Sequence, residues 1–287
     1  MNKLGKGESM IDHIRIFAAD IDGTLLNKGK SMGPETRAAM QRLHEEGVLV
    51  GTASGRPLDR TILAKAQEWE LGFDFDFAIG MNGGDLWTKE TDQFEHFYQL
   101  PAAEVKEILS FIWDLDLNAL IYEDAYAHIK TKRMDDFMRD SQRRNHSYVE
   151  VTDIEGMSVN PTGKVEVHLK PGTDTVLWER IRENQKDTWI AVKTFEGPEH
   201  VTIEFLDPRV HKGIALEEYA KRKEISLDEC IAFGDLDNDI GLLKTAGWGV
   251  CLLNGSDATK AAAQAITEYP VEEDGVGRYL EDHWFNR

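Results

Sequence analysis

Cysteine is nearly absent from this chain of 287 residues, which contains only Cys230 and Cys251. Two cysteines cannot form a disulfide framework, and their separation does not match the ligand spacing of a structural zinc site. Both lie in apolar runs, so we expect them to be buried core residues. So little cysteine is typical of the reducing cytoplasm, where we expect this protein to reside.

Positive charge is also scarce. The 33 lysines and arginines are outnumbered by 52 aspartates and glutamates, which gives a net charge of −19 at pH 7. A chain with this charge does not attract polyanions at long range, so the composition argues against binding to nucleic acid or to an anionic membrane. A small phosphorylated substrate would have to be attracted by a cation within the site.

Long apolar runs are missing as well. No segment approaches the roughly 20 apolar residues that cross a bilayer as a helix. The first nine residues, M-N-K-L-G-K-G-E-S, lack the apolar stretch of a secretory signal. We expect residues 1–9 to be a polar, frayed leader, with Met10 as an alternative start.

What the sequence does contain is an alternation of strand and helix patterns near both ends. In the first part these are strands at 14–19, 48–53 and 75–80 and helices at 34–46 and 57–70. The alternation returns after Lys212. It predicts an α/β fold with a doubly wound, Rossmann-like parallel sheet, which binds ligands at the carboxyl ends of its strands.

The middle of the chain has a different pattern. Its strand candidates alternate apolar and polar residues, as in K-V-E-V-H-L at 164–169. This alternation is typical of antiparallel sheets with one solvated face. We therefore predict a core domain formed by residues 1–85 and 203–287, and an inserted α+β domain formed by residues 86–202.

Two aspartates stand two positions apart where the first strand ends, in A-A-D-I-D-G-T. Side chains i and i+2 share one face of a strand, so Asp20 and Asp22 should converge. Two adjacent carboxylates are hard to keep ionised without a cation or a shared proton. A plain Asp-Gly turn explains Asp22 and Gly23 but not Asp20, so we favour a metal and phosphate site.

Two further motifs lie where core helices are predicted to begin. Ser54 and Gly55 precede Pro57, where a hydroxyl and backbone N–H groups can hold phosphate oxygens or simply cap the helix. Lys212 begins the helix of the H-K-G motif, where a cation opposes the helix dipole unless carboxylates lie nearby. The alternative for Lys212 is an ordinary surface lysine.

The last motif, G-D-L-D-N-D at 234–239, follows a buried strand. Three carboxylates and an amide in one tight loop are costly unless water or a cation solvates them. Asp235, Asn238 and Asp239 suit a hard cation such as Mg²⁺. The alternative is an acidic turn that caps the next helix.

Together these motifs resemble the haloacid dehalogenase-like (HAD) hydrolases, whose pattern is D-x-D-G-T, a Ser or Thr, a Lys and G-D-x-x-N-D. The segments S-G-R, H-K-G, I-G-M-N-G-G at 79–84 and E-E-D-G-V-G-R-Y-L at 272–280 are most similar to the Cof-type sugar-phosphatase branch. The resemblance implies a HAD core domain with a large inserted cap domain that closes over the site and sets specificity.

The resemblance also implies the catalytic and metal-binding roles. Asp20 would be the nucleophile that forms an aspartyl-phosphate, and Asp22 would be the general acid and base. Mg²⁺ would be held by Asp20, Asp235 and Asp239 and by the backbone carbonyl of Asp22.

For the phosphoryl group, the resemblance implies binding by Ser54, Gly55, Lys212 and Asn238. Many relatives carry Thr at the position of Ser54, and either residue supplies a hydroxyl. Candidate cap contacts lie on predicted half-buried strands, where polar residues usually face solvent: Glu123, Asp124, His128, Lys130 and His168.

We therefore expect a phosphoric monoester hydrolase that depends on Mg²⁺ and acts on small phosphorylated metabolites, sugar phosphates above all. The alternatives are a phosphomutase of hexose phosphates and a sugar-phosphate-binding regulator without turnover. The intact set of Asp20, Asp22, Lys212 and Asp235 argues against a regulator. The substrate and the oligomeric state are not readable from the sequence.

Overall fold

The computed structural model describes residues 11–27 and 31–286, so the expectation for residues 1–9 and Met10 lies outside the described residues. The chain divides into two compact units. The core unit runs to Glu95 and resumes at His211, and the inserted unit comprises His96–Val210. These limits fall somewhat later than the expected boundaries after residues 85 and 202.

Strands and helices follow one another throughout the described residues. The strands are β1 (Ile16–Asp20), β2 (Leu49–Ala53), β3 (Phe77–Gly80), β4 (Asp85–Thr88), β5 (Gln93–His96), β6 (Asn118–Asp124), β7 (His128–Thr131), β8 (Tyr148–Val151), β9 (Val165–Leu169), β10 (Ile190–Glu196), β11 (Val201–Leu206), β12 (Cys230–Gly234), β13 (Trp248–Cys251) and β14 (Ala265–Ile266). The helices are α1 (Pro34–Glu45), α2 (Arg60–Leu63), α3 (Lys65–Glu68), α4 (Ala102–Ile112), α5 (Asp136–Asn145), α6 (Ile154–Met157), α7 (Thr175–Asn184), α8 (Lys212–Arg222), α9 (Ile240–Thr245), α10 (Asp257–Ala262) and α11 (Gly275–Leu280).

The core unit is built around one sheet, with the strand order β14-β13-β12-β1-β2-β3-β4-β5. The strands from β14 to β3 are parallel, and β4 is antiparallel to β3. The strand order reverses direction at β1, which lies between β2 and β12. The prediction of a doubly wound parallel α/β sheet is therefore confirmed, and the loops after β1, β2 and β12 meet at one edge.

Local sequence explains where the helices near this edge begin. Pro34 stands at the start of α1, as predicted, because its fixed φ suits the first turn. The helix expected from Pro57 begins instead at Arg60, since the Asp59 carboxylate accepts the backbone N–H groups of Thr61 and Ile62. That expected helix is also divided into α2 and α3.

Both cysteines lie in the interior of the core unit. Cys230 and Cys251 are buried and free, and they belong to β12 and β13. Burial raises the pKa of each thiol to about 12, so both are inert thiols near neutral pH.

In the described ranges, no helix has the length and apolar character needed to cross a membrane.

The inserted unit has its own sheet, with the order β10-β11-β9-β6-β7-β8. Its pairings are antiparallel except for that of β7 with β8. One face packs an apolar core against α4 and α7, in which Trp189 and Phe205 are fully buried. The predicted α+β character of the insert is confirmed.

The other face of this sheet differs from the expectation of a solvated surface. Every residue of β9 and β11 is buried, including Glu166, His168 and Glu204. Lys164 donates from Nζ to Glu204 Oε1 at 2.5 Å and forms an ion pair with Glu166 Oε2 at 2.9 Å. The expectation that His168 faces solvent is wrong, because the residue is buried and its Nε2 bonds with Glu166 Oε1 at 2.7 Å.

Lys164 is the cation on which this buried cluster depends. Burial alone would raise the pKa of Glu166, but Lys164 and His168 hold that pKa below its usual range. Burial raises the pKa of Glu204, and the charge of Glu166 adds to the rise while Lys164 opposes it. Two buried glutamates are thus balanced mainly by one lysine.

Replacing Lys164 with methionine should therefore destabilise the inserted unit by about 3–5 kcal/mol, because it leaves two buried carboxylates without their cation. Urea unfolding followed by circular dichroism would measure the change. The matched control is Lys193→Met, which removes a partly exposed lysine paired with Asp174 and Glu196. In the control, the free energy of unfolding should fall by about 1 kcal/mol or less. Equal losses in the two variants would contradict the prediction.

Candidate active site

The first predicted site residue, Asp20, is the last residue of β1 and is buried. The chain then turns sharply, and the backbone N–H of Gly23 donates to the Leu26 carbonyl. Gly23 has a φ of +92°, and a Cβ there would lie 2.4 Å from Asp235 Oδ2. Only glycine meets both conditions, so the turn packs directly against Asp235.

Asp22 has different surroundings from Asp20. Because β1 ends at Asp20, Asp22 lies in the turn, and the strand alternation behind the expected convergence does not reach it. Its side chain is 47% exposed, and its Oδ1 accepts from Arg56 Nη2 at 2.7 Å. The convergence of Asp20 and Asp22 therefore stays a prediction, and Asp22 is near enough to the triad for its charge to help raise the pKa of Asp235.

Lys212 begins α8 and is fully buried. Its Nζ donates to Asp20 Oδ1 and to Asp239 Oδ1, each at 2.5 Å. Burial works against the charged form, but the two carboxylates hold the pKa of Lys212 above its usual value. The alternative of a surface lysine is therefore wrong, and the unfavourable position at a helix start is offset by charge pairing.

The loop after β12 is held together by Asp239. Its Oδ2 accepts the backbone N–H groups of Asp235 at 2.9 Å and Leu236 at 3.0 Å. A Cβ on Gly234 would lie 2.4 Å from Asp239 Cβ, so glycine allows the loop to close this tightly. Asp239 thus stabilises an acidic turn with one oxygen and binds Lys212 with the other.

Asp20, Asp235 and Asp239 form a buried acidic triad. One carboxylate oxygen from each lies within 4.8 Å of the others. Burial raises the pKa of Asp20 well above its usual value, with Lys212 opposing the rise and Asp239 and Asp235 adding to it. Burial and Asp239 raise the pKa of Asp235 to about 6.

This triad could hold a metal ion. Its donors are all carboxylate oxygens, which hard cations such as Mg²⁺ prefer. Lys212 alone offsets only part of the negative charge, and a bound cation would favour the ionised forms that burial disfavours. Thr24 fixes one ligand, because its Oγ1 donates to Asp235 Oδ1 at 2.9 Å.

Two of the four predicted phosphate-binding residues, Ser54 and Gly55, lie in the loop after β2, the strand next to β1 in the sheet. Ser54 is buried, and its backbone N–H donates to the Ile79 carbonyl at 2.8 Å. Its Oγ accepts the backbone N–H of Arg56 at 3.2 Å. Because α2 begins at Arg60, Ser54 is not a helix cap, and a helix N-terminus does not account for a phosphate site here.

Three residues near the triad have no role in the sequence predictions. They are Thr24, which bonds Asp235, Arg56, which bonds Asp22, and Asn82, whose Oδ1 accepts from Asn238 Nδ2 at 3.1 Å. Each stands in a motif that the resemblance used: D-G-T, S-G-R and M-N-G-G. The motifs therefore marked these three residues, but the partners of the side chains are seen only in the structure.

Comparisons with known proteins show the family to which this sequence is similar. The sequence profile of the haloacid dehalogenase-like hydrolases matches residues 17–280. The chain is 28% identical over 273 residues to the 5-amino-6-(5-phospho-D-ribitylamino)uracil phosphatase YitU of Bacillus subtilis, covering 94% of this chain and 97% of that protein. It is 26% identical over 273 residues to the HMP-PP phosphatase of Serratia proteamaculans, with coverages of 94% and 95%.

A solved structure shows the same fold. The crystal structure of a haloacid dehalogenase-like hydrolase from Bacteroides thetaiotaomicron superimposes with a TM-score of 0.78 at 25% identity. The superposition covers 94% of this chain and 99% of that one. The similarity therefore extends over the core and inserted segments alike.

The raised pKa of Asp235 gives a stability prediction for the metal-free protein. The folded state keeps this proton to about pH 6, whereas an ordinary aspartate loses it near 3.8, so stability falls as the pH rises between these values. Asp235→Asn removes the charged form and should stabilise the metal-free protein by about 1–3 kcal/mol near neutral pH.

Urea unfolding with a chelator present, near neutral pH and again below the ordinary aspartate pKa, would measure this gain. It should disappear at the lower pH. Asp237→Asn is the matched control, because Asp237 lies in the same loop but accepts from Ser256 and Thr259 instead. The same gain at both pH values would contradict the prediction.

Proposed function

We propose that this chain, which belongs to the haloacid dehalogenase-like hydrolase family and is a phosphatase, hydrolyses phosphate monoesters of small metabolites. The proposed reaction depends on Mg²⁺ and passes through an aspartyl-phosphate. One observation carries the proposal. Asp20, at the carboxyl end of the central strand β1, is buried against Lys212 and shares an acidic triad with Asp235 and Asp239.

Asp20 is the nucleophile in this proposal. A carboxylate oxygen attacks phosphorus, and the bond from phosphorus to the leaving alkoxide oxygen breaks. Water then attacks the aspartyl-phosphate, which releases orthophosphate and restores the carboxylate. The buried position between β2 and β12 gives Asp20 a fixed orientation, and positioning contributes much of the rate in phosphoryl transfer.

Asp22 is the general acid and base. It protonates the leaving alkoxide in the first step and accepts a proton from the attacking water in the second. Its exposed carboxylate, held by Arg56 Nη2, differs from the buried carboxylate of Asp20 as the two roles require. A nucleophile needs a fixed environment, whereas an acid and base must exchange protons with water.

Charge neutralisation is the main requirement, because an anionic nucleophile must approach an anionic phosphate. Lys212 already contacts Asp20 and supplies one permanent positive charge. Mg²⁺, when held by Asp20, Asp235 and Asp239 and by the backbone carbonyl of Asp22, would neutralise charge on the phosphoryl oxygens. Ser54, Gly55 and Asn238 would bind the remaining phosphoryl oxygens.

The substrates that we propose are small phosphomonoesters, with sugar phosphates first. The two relatives named above act on a phosphorylated ribityl pyrimidine and on HMP-PP. A screen should therefore compare hexose phosphates, pentose phosphates and the ribitylaminouracil phosphate by released orthophosphate. The assignment of specificity to the inserted unit stays a prediction.

Asp20→Asn should abolish hydrolysis of p-nitrophenyl phosphate, with a loss of at least about a thousandfold, because an amide cannot act as the nucleophile. The shape of the side chain is kept, so circular dichroism should show an intact fold. Asp237→Asn is the control and should retain activity. Full activity of Asp20→Asn would overturn the nucleophile assignment.

Chelation should abolish the phosphatase activity of the wild type, and added Mg²⁺ should restore that activity. The reason is that the acidic triad needs more positive charge than Lys212 supplies. Asp235→Asn should need about 10–100 times more Mg²⁺ for half-maximal activity. The thermal midpoint of the wild type should also rise with Mg²⁺, by more than that of the variant. Undiminished turnover after exhaustive chelation would contradict a metal-dependent reaction.

A further inference from the structure

A short turn in the core unit, Met81–Gly83, has an unusual backbone. The φ angles of Met81, Asn82 and Gly83 are +48°, +56° and +103°. Left-handed backbone is costly for residues with a Cβ, and two of these three residues carry one. Such strain persists only where the surrounding structure holds it in place.

The backbone of this turn is bonded to the loop after β2. The Met81 N–H donates to the Arg56 carbonyl at 2.8 Å, and the Asn82 N–H donates to the Ser54 carbonyl at 3.1 Å. These two bonds span Gly55 from both sides. The turn therefore fixes the course of the loop that carries two of the proposed phosphate-binding residues.

The side chain of Asn82 reaches two elements at once. It is buried, and its Oδ1 accepts from Asn238 Nδ2 at 3.1 Å. A Cβ on Gly55 would lie 2.8 Å from the same oxygen, so the amide sits directly against that glycine. One carboxamide thus ties the loop after β12 to the loop after β2.

Gly83 brings the turn against a third element. A Cβ at this position would lie 2.1 Å from the His211 carbonyl oxygen and 2.9 Å from the backbone nitrogen of Lys212. The backbone that leads into Lys212 is therefore in close contact with the turn. All three chain segments that carry Ser54, Lys212 and Asn238 meet the same three residues.

We propose that the Met81–Gly83 turn sets the spacing of the phosphate-binding groups, and that Asn82 is a positioning residue that acts through Asn238 and Gly55. The inference rests on the proposed function, because it assigns those groups to a phosphoryl ligand. It explains why a buried amide stands where the backbone would favour glycine. The amide makes a bond between loops that glycine cannot make.

Asn82→Gly is the decisive variant, since glycine accepts the backbone of position 82 but lacks the amide. The Kd for orthophosphate, measured by calorimetry with Mg²⁺ present, should rise by about 10–100-fold, because misplaced groups bind the anion less well. The KM for p-nitrophenyl phosphate should rise in parallel. The thermal midpoint should change little, because relief of backbone strain offsets the lost bond and the added chain freedom.

Two comparisons separate positioning from general stability. Glu70→Gly is the matched control, because Glu70 is an exposed residue with a φ of +55° whose side chain pairs with Arg37. It should leave the Kd and KM unchanged. The variant that combines Asn82→Gly with Asn238→Ala should lose less orthophosphate affinity than the two single losses added together, as expected for residues that contact each other.

Wild-type orthophosphate affinity in Asn82→Gly would overturn the inference, as would a fall in kcat that leaves the Kd and KM unchanged. Fully additive losses in the double variant would also overturn it. If the wild type fails to hydrolyse p-nitrophenyl phosphate, the proposed function fails, while the orthophosphate titration still decides the role of Asn82.

Discussion

The pairing of Lys212 with two buried carboxylates is the interaction on which the candidate site depends. A fully buried lysine is stable only where anions surround it, and Asp20 at the end of β1 and Asp239 in the loop after β12 supply them. The same lysine keeps the triad from carrying three uncompensated charges. It therefore links the folding of the core sheet to the charge balance that a phosphoryl ligand would meet.

The sheet topology makes this pairing possible. Because β1 lies between β2 and β12, residues far apart in sequence reach one edge of the sheet. Glycines then allow side chains and turns to come closer than a Cβ would permit, as at Gly23 beside Asp235 and at Gly234 beside Asp239. The distances within the site depend on these close approaches as much as on the charged residues.

The sequence predicted the core sheet and the grouping of Asp20, Lys212 and Asp235, because buried parallel strands are apolar throughout and their loops carry polar motifs. It did not predict the separate surroundings of Asp22, since the end of β1 depends on tertiary pairing. Nor did it predict the burial of Glu166 and His168, because alternation in a strand cannot show what covers the polar face. The contact of Asn82 with Asn238 was not predicted either, because it joins two loops that are far apart in sequence.

The buried cluster around Lys164 affects the register in which two strands of the second sheet, β9 and β11, pair. Glu166 stands directly opposite Glu204 across β9 and β11, a pairing of like charges that Lys164 makes tolerable. Sliding either strand by one residue would turn a glutamate into the apolar layer that holds Trp189. The charged cluster thus specifies the register of β9 and β11, because burying a glutamate without its lysine costs more free energy than misaligning an apolar pair.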